Sequence, residues 1–199
     1  MIVVGVTGKY CTGKSTVSDL LAEHGYVQID VDRLGHEALD REQDRVIAAF
    51  GDSVRGDDGS VDRKQLGRLV FASEERLREL ESILHPTMVA MTEDRVEEVR
   101  RLAGADAPTG VVINAAILFR MGLDRLCDVV LLVTAPFFTI WRRAKERDDA
   151  SLRQVVRRLR SQHDVDPQHS SAHADTHSVE NHGDRERLRR ELARLLPLP

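Results

Sequence analysis

The chain is poor in cysteine and lacks long apolar segments. Its two cysteines, Cys11 and Cys127, are too few for a disulfide framework and suit a reducing compartment, which predicts a cytoplasmic protein. No apolar run approaches the roughly 18 residues that a membrane span requires, so no membrane association is predicted. The short apolar run at residues 2–6 has no basic flank and predicts a β-strand rather than a signal peptide.

Aromatic residues are also scarce, and positive charge is not in excess. Only 4% of the residues are aromatic and the formal net charge is -4, which argues against nucleic-acid binding because few rings could stack on bases. The hydrophobic fraction of 41% and the charged fraction of 31% are typical of a globular protein. At 199 residues the chain is long enough for one large core, or a core with a modest subdomain. Nothing in the sequence indicates an oligomeric state.

The strongest motif follows that first apolar run. The run leads into Gly8, four further residues, and then Gly13-Lys14-Ser15. This is the G-x-x-x-x-G-K-[ST] pattern of a phosphate-binding loop, or P-loop. Glycine adopts backbone angles closed to other residues, so Gly8 and Gly13 allow the loop to turn its N–H groups toward a polyphosphate. A glycine-rich turn that binds nothing is the alternative, but the strand before the motif and the helical pattern after it favour the P-loop.

The remaining parts of the motif suit a nucleoside triphosphate. Lys14 would reach the terminal phosphates as a positive point charge, and the Ser15 hydroxyl would ligate Mg²⁺. The helix that begins near Thr16 would direct the positive end of its dipole toward the same anion. We therefore predict that the protein binds a nucleoside triphosphate at this loop.

Two carboxylates follow the next apolar run. Residues 25–32 predict a second strand that ends in Asp30 and Asp32, and a period of two would place both side chains on one face. Ligands of parallel α/β sheets collect at the carboxyl ends of strands, on the same side as the P-loop. One aspartate could act as a base or anchor the metal, with the other nearby. Alternatively, Asp32 is the N-cap of the helix that follows.

Strands and helical patterns alternate along the chain, which predicts an α/β fold with a parallel sheet. Strands are expected at residues 2–6, 25–32, 111–116 and 128–134, with a short edge strand at 179–181. Helical patterns between the second and third strands indicate a helical insertion, of the kind that commonly carries a second substrate. They are predicted at residues 44–50, 61–71, 73–84 and 87–102, with His85-Pro86 as the break between the last two. A closing amphipathic helix is predicted at residues 185–196.

Residues 137–160 predict one strongly basic helical segment. Between Arg142 and Arg160 there are eight arginines or lysines against three aspartates or glutamates. Most of these charges are expected to form a solvated face. A few are candidates for a lid that closes over the phosphates and neutralises the transferring charge. Nucleic-acid binding is the least favoured interpretation of this segment.

The segment from 162 to 183 contains five of the eight histidines, namely His163, His169, His173, His177 and His182. Three of them are four residues apart and would line one face of a helix, where they could hold a metal ion. The many Asp and Ser residues and the poor helix propensity favour a solvated loop instead.

The motifs, in their order, resemble the dephospho-coenzyme A kinase family over nearly the whole chain. After the P-loop they are Ile29-Asp30-Val31-Asp32; Asp58-Gly59-Ser60-Val61-Asp62-Arg63 with Leu66 and Val70-Phe71; Leu80-Glu81-Ser82-Ile83-Leu84-His85-Pro86; Arg143 with Arg147-Asp148; and Ala174-Asp175 with Asn181-His182-Gly183. This resemblance implies a P-loop NTPase core with a five-stranded parallel sheet flanked by helices. It also implies an enzyme that uses ATP and Mg²⁺ to phosphorylate the ribose 3′-hydroxyl of dephospho-CoA.

The resemblance implies a role for individual residues as well. Asp32 would be the catalytic base for the 3′-hydroxyl, Asp30 would lie beside it, and His85 would lie at the edge of a CoA-binding subdomain. Arg147 and Lys14 would be catalytic cations. The ATP contacts would come from Gly8, Cys11, Thr12, Gly13, Lys14, Ser15, Thr16, the lid residues Arg143 and Arg147, and Asn181 near the adenine.

The layout expected from the resemblance is a single domain over 1–199. Its core would comprise 1–32, 104–136 and 176–199, the helical CoA-binding insertion 54–103, and the lid 137–165. The P-loop departs from the family pattern Gly-Gly-Ile-Gly-Ser-Gly-Lys at Lys9, Tyr10 and Cys11, and Arg120 stands where the family has an acid. Two alternatives remain, a different nucleoside or nucleotide kinase and a nucleotide-binding protein without catalysis.

Overall fold

The structure, a computed structural model, describes residues 1–102, 107–162 and 174–196. The chain forms two compact units, one comprising residues 1–30 and 95–199 and the other residues 31–94. The first contains the β-sheet, and the second is helical. Parts of the predicted core (104–106 and 197–199) and of the predicted lid (163–165) lie outside the described residues.

A five-stranded parallel sheet forms the centre of the first unit. Its strands are β1 (Ile2–Thr7), β2 (Tyr26–Asp30), β3 (Gly110–Asn114), β4 (Val129–Thr134) and β5 (Asp175–Glu180). They lie in the order β2-β3-β1-β4-β5, and every neighbouring pair is parallel. The inner strands β1 and β3 are buried along nearly their whole length, as their continuous apolar runs predict. The predicted α/β fold with five parallel strands is therefore confirmed.

The order of the strands places the P-loop at a switch point of the sheet. After β1 the chain crosses to β2 on one side, whereas after β3 it crosses back over β1 to reach β4 on the other side. In open parallel sheets a crevice forms at the carboxyl ends of the strands where the connections diverge in this way. The loop after β1 lies at this crevice.

Helices flank the sheet in the first unit. They are α1 (Lys14–Glu23), α6 (Phe137–Asp148), α7 (Leu152–Ser161) and α8 (Arg185–Leu195), with a short 3₁₀ turn at Leu123–Leu126. Leucines of α1 and α8 pack on valines and leucines of the inner strands, and each such buried side chain stabilises the fold by about 1.5–3 kcal/mol. A second apolar cluster joins α6 and α7 to the P-loop residues Tyr10 and Cys11.

The second unit has its own apolar core. The unit contains α2 (Val31–Arg41), α3 (Gln43–Phe50), a 3₁₀ turn at Asp52–Val54, α4 (Arg63–Ala72) and most of α5 (Glu74–Arg100). Its buried side chains are Leu39, Val46, Ile47, Phe50, Val54, Leu66, Val70 and Ile83. Gly51 ends α3 with φ +82°, and the Asp62 side chain caps α4 by accepting from the N–H groups of Lys64 and Gln65. Among the described helices of both units, none is long and apolar enough to cross a membrane.

The prediction that Asp30 and Asp32 occupy one strand face is wrong. The strand β2 ends at Asp30, and α2 begins at Val31, so Asp32 lies in the first turn of a helix. Burial still alternates over Asp30, Val31 and Asp32 as it would in a strand, so the boundary is seen in the backbone and not in the burial pattern. The alternation of apolar residues over so short a segment did not distinguish a strand end from a helix start.

The predicted helix break at His85-Pro86 is also wrong. One helix, α5, runs through Pro86 from Glu74 to Arg100. Proline lacks the N–H that would bond to the carbonyl of Ser82, but both residues are exposed, so water can reach that carbonyl. Ile83 and Met88 are buried on either side of Pro86. Packing of this continuous apolar stripe therefore outweighs a local penalty of about 3 kcal/mol.

The basic segment predicted to be helical over 137–160 consists of two helices. Asp149 adopts a left-handed conformation with φ 48° and ends α6. Ser151 then caps α7 in a capping box with Gln154, in which the Ser151 N–H donates to the Gln154 Oε1 at 2.7 Å. The Ser-x-x-Gln spacing was the sequence signal for this boundary.

Candidate active site

The loop between β1 and α1 requires glycine at both motif positions. A Cβ at Gly8 would lie 2.3 Å from the backbone oxygen of Val133. At Gly13 the φ angle is +97°, and a Cβ would lie 2.1 Å from the Nδ2 atom of Asn181. Side chains at these positions would therefore collide with the neighbouring strand end and with a buried amide.

Cys11 occupies a backbone conformation that favours glycine. Its φ is 56°, in the left-handed region, where a residue with a side chain is destabilised by about 1–2 kcal/mol. The family pattern that the sequence resembles has glycine at this position, the residue that such a φ favours. The backbone oxygen of Cys11 accepts a 3.4 Å hydrogen bond from Nη1 of Arg143.

The start of α1 is suited to binding an anion. The backbone N–H groups of Lys14, Ser15 and Thr16 stand in the first turn of the helix, the part of a helix at which anions bind. This first turn contains no acidic residue that could occupy the position internally. The Lys14 Nζ donates to the backbone oxygens of Gly8 at 2.9 Å and Lys9 at 3.4 Å, which holds the ammonium group over the loop.

Arg143 and Asn181 fix the conformation of the loop. Nη1 of Arg143 donates to the backbone oxygen of Thr12 at 2.9 Å, and its Nη2 donates to Oδ1 of Asn181 at 2.9 Å. Nδ2 of Asn181, which is 2% exposed, donates to the same Thr12 oxygen at 3.1 Å. Burial, with a smaller contribution from the like charge of Arg142, lowers the pKa of Arg143. Helix α6 and the end of β5 are thus tied to the loop through one carbonyl.

A further cluster at the loop was not predicted from the sequence. The Tyr10 hydroxyl donates to the Asp148 carboxylate, which also accepts from Arg147 and Arg158. The hydrogen bond from Arg147, followed by that from Tyr10, holds the pKa of Asp148 well below its usual range. The bond to Asp148 also raises the pKa of Arg147, and burial, followed by the bond to Asp148, raises the pKa of Tyr10. The sequence signal for this cluster was an aromatic residue in a loop that is otherwise small and polar.

These elements line a cleft of about 410 Å³. That volume is within the range of small-molecule sites in proteins. The residues that line it are Cys11, Gly13, Lys14, Ser15, Thr16, Arg143, Glu146 and Arg147. The structure therefore brings together most of the residues predicted to contact ATP phosphates with the two predicted lid arginines.

Comparison with known proteins identifies the family of this chain. The sequence model of one family, described as dephospho-CoA kinase, matches residues 2–186. This chain belongs to the dephospho-CoA kinase family. The predicted activity, ATP-dependent phosphorylation of dephospho-CoA, is thereby confirmed at the level of the family, and neither alternative is favoured.

Individual relatives of this family match most of the chain. A dephospho-CoA kinase of Dehalococcoides mccartyi is 39% identical over 164 residues, which are 81% of each protein. Another, from Geobacter metallireducens, is 34% identical over 98% of this chain and 95% of its own length. A crystal structure of a Thermus thermophilus protein superposes with a TM-score of 0.76 at 33% identity, and the match covers 98% of this chain and 96% of that one.

The other residues predicted for dephospho-CoA kinase activity lie at two places. Asp30 lies at the carboxyl end of β2 in register with Asn114 of β3, which is itself in register with Val6 shortly before the P-loop. Asp32 and His85 belong to the second unit, in α2 and α5. Burial lowers the pKa of His85, which favours its neutral form. Asn114, buried at the sheet edge that carries the loop, is a further polar residue to which the sequence analysis gave no role.

The histidine-rich segment, for which the sequence favours a solvated loop over a metal site, lies only partly within the described residues. His163, His169 and His173 lie outside them. His177 lies in β5, with its Nε2 atom 3.4 Å from Oδ2 of Asp175. The Nε2 atom of His182 lies 2.9 Å from Oε2 of Glu180. No group of three or more metal-ligating side chains occurs in the part of the chain that the structure describes.

The two cysteines of this kinase are expected to react at very different rates. Burial raises the pKa of the Cys127 thiol to about 12, whereas Cys11 is half-buried and lines the cleft. Titration with a thiol reagent should therefore modify Cys11 in the native protein and Cys127 only after unfolding. Bound ATP should slow the modification, with Cys11→Ser as the control for assignment. A rate that is insensitive to ATP would contradict nucleotide binding at the loop.

Proposed function

We propose that this protein transfers the γ-phosphoryl group of ATP to the ribose 3′-hydroxyl of dephospho-CoA, with its P-loop cleft as the phosphoryl-transfer site. The observation that carries this proposal is the cleft itself. It combines the first turn of α1, the Lys14 ammonium group and two arginines of α6 in a chain of the dephospho-CoA kinase family. Phosphoryl transfer depends mainly on positioning and on neutralising charge, and these groups supply both.

The phosphates of ATP are proposed to bind along the loop. Cys11 and residues 13–16 line the cleft from the loop and the first turn of α1. Lys14 would place its positive charge near the terminal phosphates, where charge changes during the transfer. Its present hydrogen bonds are to backbone carbonyls, so the ammonium group would exchange them for phosphate oxygens when ATP binds.

The side chains at this edge of the sheet fit a magnesium ion that is held mainly by the nucleotide. Ser15 is exposed in the first turn of α1, and Asp30 ends the strand β2 in the same unit. Mg²⁺ typically takes one or two protein oxygens together with phosphates and waters, so a cage of several carboxylates is not required. Bound Mg²⁺ would neutralise part of the phosphate charge, with the Ser15 hydroxyl as its ligand from the P-loop.

Asp32 is proposed to accept the proton of the acceptor hydroxyl. It is exposed in the first turn of α2, two residues after Asp30. A positioned carboxylate is one of the side chains that take up a proton from a reacting hydroxyl, and in kinases an aspartate has this role. Asp30 would support it from the strand end.

The two helices α6 and α7 are proposed to form most of the lid predicted at 137–165. Arg143 and Arg147 would stabilise the triphosphate from this side, and Asn181 would belong to the loop near the adenine. Support comes from the hydrogen bonds that Arg143 and Asn181 donate to the P-loop carbonyl of Thr12 and from Arg143 and Arg147 in the lining of the cleft.

Dephospho-CoA is proposed to bind through the helical insertion predicted at 54–103, with His85 at its edge. This segment includes α4 and α5 and contributes to the apolar core of the second unit.

A cytoplasmic location is likewise proposed, since both cysteines are free thiols, as in reducing compartments. No nucleic-acid or membrane partner is proposed.

A coupled assay of ADP release tests the proposed reaction. ADP should form rapidly only when ATP, Mg²⁺ and dephospho-CoA are all present, and the product should carry one additional phosphate at the 3′ position. Release with a nucleoside or nucleotide acceptor but not with dephospho-CoA would indicate a different kinase. ATP binding without ADP release for any acceptor would indicate a non-catalytic protein.

A further inference from the structure

Tyr10 connects the P-loop to both helices of the α6–α7 pair. Its backbone N–H donates to Oε1 of Gln162, just after α7, at 2.7 Å. Its hydroxyl donates to the carboxylate of Asp148 at the end of α6 and accepts a 2.6 Å hydrogen bond from Nη1 of Arg158 in α7. One loop residue therefore has polar partners on three segments of the chain, two through its hydroxyl and one through its backbone N–H.

Two arginine side chains also contact the face of the Tyr10 ring. The guanidinium carbon of Arg147 lies 4.9 Å from the ring centroid, and that of Arg158 lies 4.7 Å from it. Both distances are within the range of cation–π attraction. Arg147 in addition donates from Nε at 3.1 Å and from Nη2 at 3.2 Å to Asp148, the same carboxylate that the Tyr10 hydroxyl contacts. The Arg147 side chain is thus held by the ring and by a carboxylate that the phenol itself orients.

This cluster constrains a side chain that would otherwise have many conformations. The Arg147 side chain is 60% exposed, and a long exposed arginine samples several rotamers. Arg147 also lines the cleft together with Lys14 and Ser15. Fixing a cation in advance at the position where charge develops is an effective way to stabilise a transition state, because no reorganisation is then needed.

We propose that Tyr10 is a positioning residue that holds Arg147 at the phosphate cleft. This inference rests on the role proposed above for Arg147 in phosphoryl transfer. Tyr10 acts through Arg147 and not on the substrate, so its removal lowers turnover more than it weakens ATP binding. An interaction used mainly in the transition state affects kcat, whereas one used equally in the ground state affects KM.

A purely structural role for Tyr10 makes a different prediction. Tyr10 also packs against the apolar cluster of Ile140, Ala144, Ala150 and Val155 between α6 and α7. If it only stabilised that packing, its replacement would lower the melting temperature, and any loss of turnover would be the same whether or not Arg147 is present. The two roles are therefore separated by a double-mutant cycle, in which only residues that act together show coupling.

The experiment compares the full-length wild type with Tyr10→Leu, Arg147→Ala and the double variant in the ADP-release assay with dephospho-CoA. Tyr10→Leu should reduce kcat by about 5- to 30-fold, the effect expected when a few contacts of this kind are lost, with a smaller change in the KM for ATP. In the Arg147→Ala background the same substitution should change kcat by no more than about twofold. Equal losses in both backgrounds, or no loss in the wild-type background, would overturn the proposal.

Two further variants complete the design. Tyr10→Phe keeps the ring but removes the hydroxyl, should lose less kcat than Tyr10→Leu, and replaces it in the cycle if Tyr10→Leu fails to fold. Tyr26→Phe is the matched control, because Tyr26 is the other tyrosine of the chain and its buried hydroxyl has no hydrogen-bond partner in the described residues. It should retain normal turnover. Normal turnover of Arg147→Ala would refute the role of Arg147 itself, and absence of wild-type transfer would refute the proposed reaction.

Discussion

Replacement of Asp32 by asparagine is expected to leave ATP binding intact and to lower turnover by about 10²- to 10⁴-fold, the usual contribution of a positioned general base. Asparagine has nearly the same shape but does not accept a proton. The groups proposed to hold the phosphates belong to the unit of residues 1–30 and 95–199, whereas Asp32 belongs to the unit of residues 31–94. Affinity for ATP, measured by calorimetry, should therefore stay near the wild-type value while ADP release falls.

Two other aspartates serve as comparisons for Asp32. Asp40→Asn changes an exposed carboxylate on the same helix, where it forms an ion pair with Arg63 at 2.7 Å. Such exposed pairs contribute about 0–1 kcal/mol, so this control should retain normal turnover. Asp30→Asn distinguishes the two candidate carboxylates. A large loss for Asp30→Asn together with near-normal turnover for Asp32→Asn would transfer the role of the base to Asp30.

Replacement of Lys14 by alanine is expected to lower kcat/KM by about 10²- to 10³-fold, or roughly 2.7–4 kcal/mol of transition-state stabilisation, the scale for losing one preorganised donor. The Lys14 ammonium group lies over the loop on the backbone oxygens of Gly8 and Lys9 and lines the cleft. Steady-state kinetics over a range of ATP concentrations would measure the change.

The size of the Lys14 effect needs a control for charge and for folding. Arg194→Ala removes the same charge from an exposed position on α8, outside the cleft and the proposed insertion, and should have little effect on kinetics. Thermal unfolding of Lys14→Ala would show whether the loop still folds. A loss of less than about threefold in a folded Lys14→Ala variant would be inconsistent with a donor of this kind at the transferring phosphate.

The P-loop could be recognised from the sequence because its determinants are local. Two glycines at fixed spacing, a lysine, a hydroxyl and the change from strand to helix all occur within residues 2–16. The structure adds the reason that the glycines are needed, since Gly8 and Gly13 approach Val133 and Asn181, which are distant in sequence. The sequence shows that Cys11 replaces a glycine of the family pattern. Only the structure shows that its φ is 56°, in the left-handed region.

The break predicted at Pro86 is absent because packing overrode a local pattern, whereas the division of the basic segment was marked in the sequence only by the Ser-x-x-Gln capping box. Proline at position 86 predicts a break, but buried residues continue on both sides of it and α5 stays intact. Conversely, the basic segment from Phe137 contains no glycine or proline to announce a break, yet Asp149 and the Ser151 cap divide it into two helices. This division places Asp148 and Arg158 on separate helices, from which both contact the Tyr10 hydroxyl.

The sequence by itself determined the fold class, the phosphate-binding loop and the family, because these depend on spacing, apolar periodicity and short motifs. Only the tertiary structure decided which side chains meet at the loop. Arg143 and Asn181 converge on the Thr12 carbonyl, and Tyr10 joins Arg147 to Asp148, across as many as 169 residues of sequence. Such contacts depend on the strand order β2-β3-β1-β4-β5, which brings the ends of distant strands to one edge of the sheet. No local pattern of residues encodes that order.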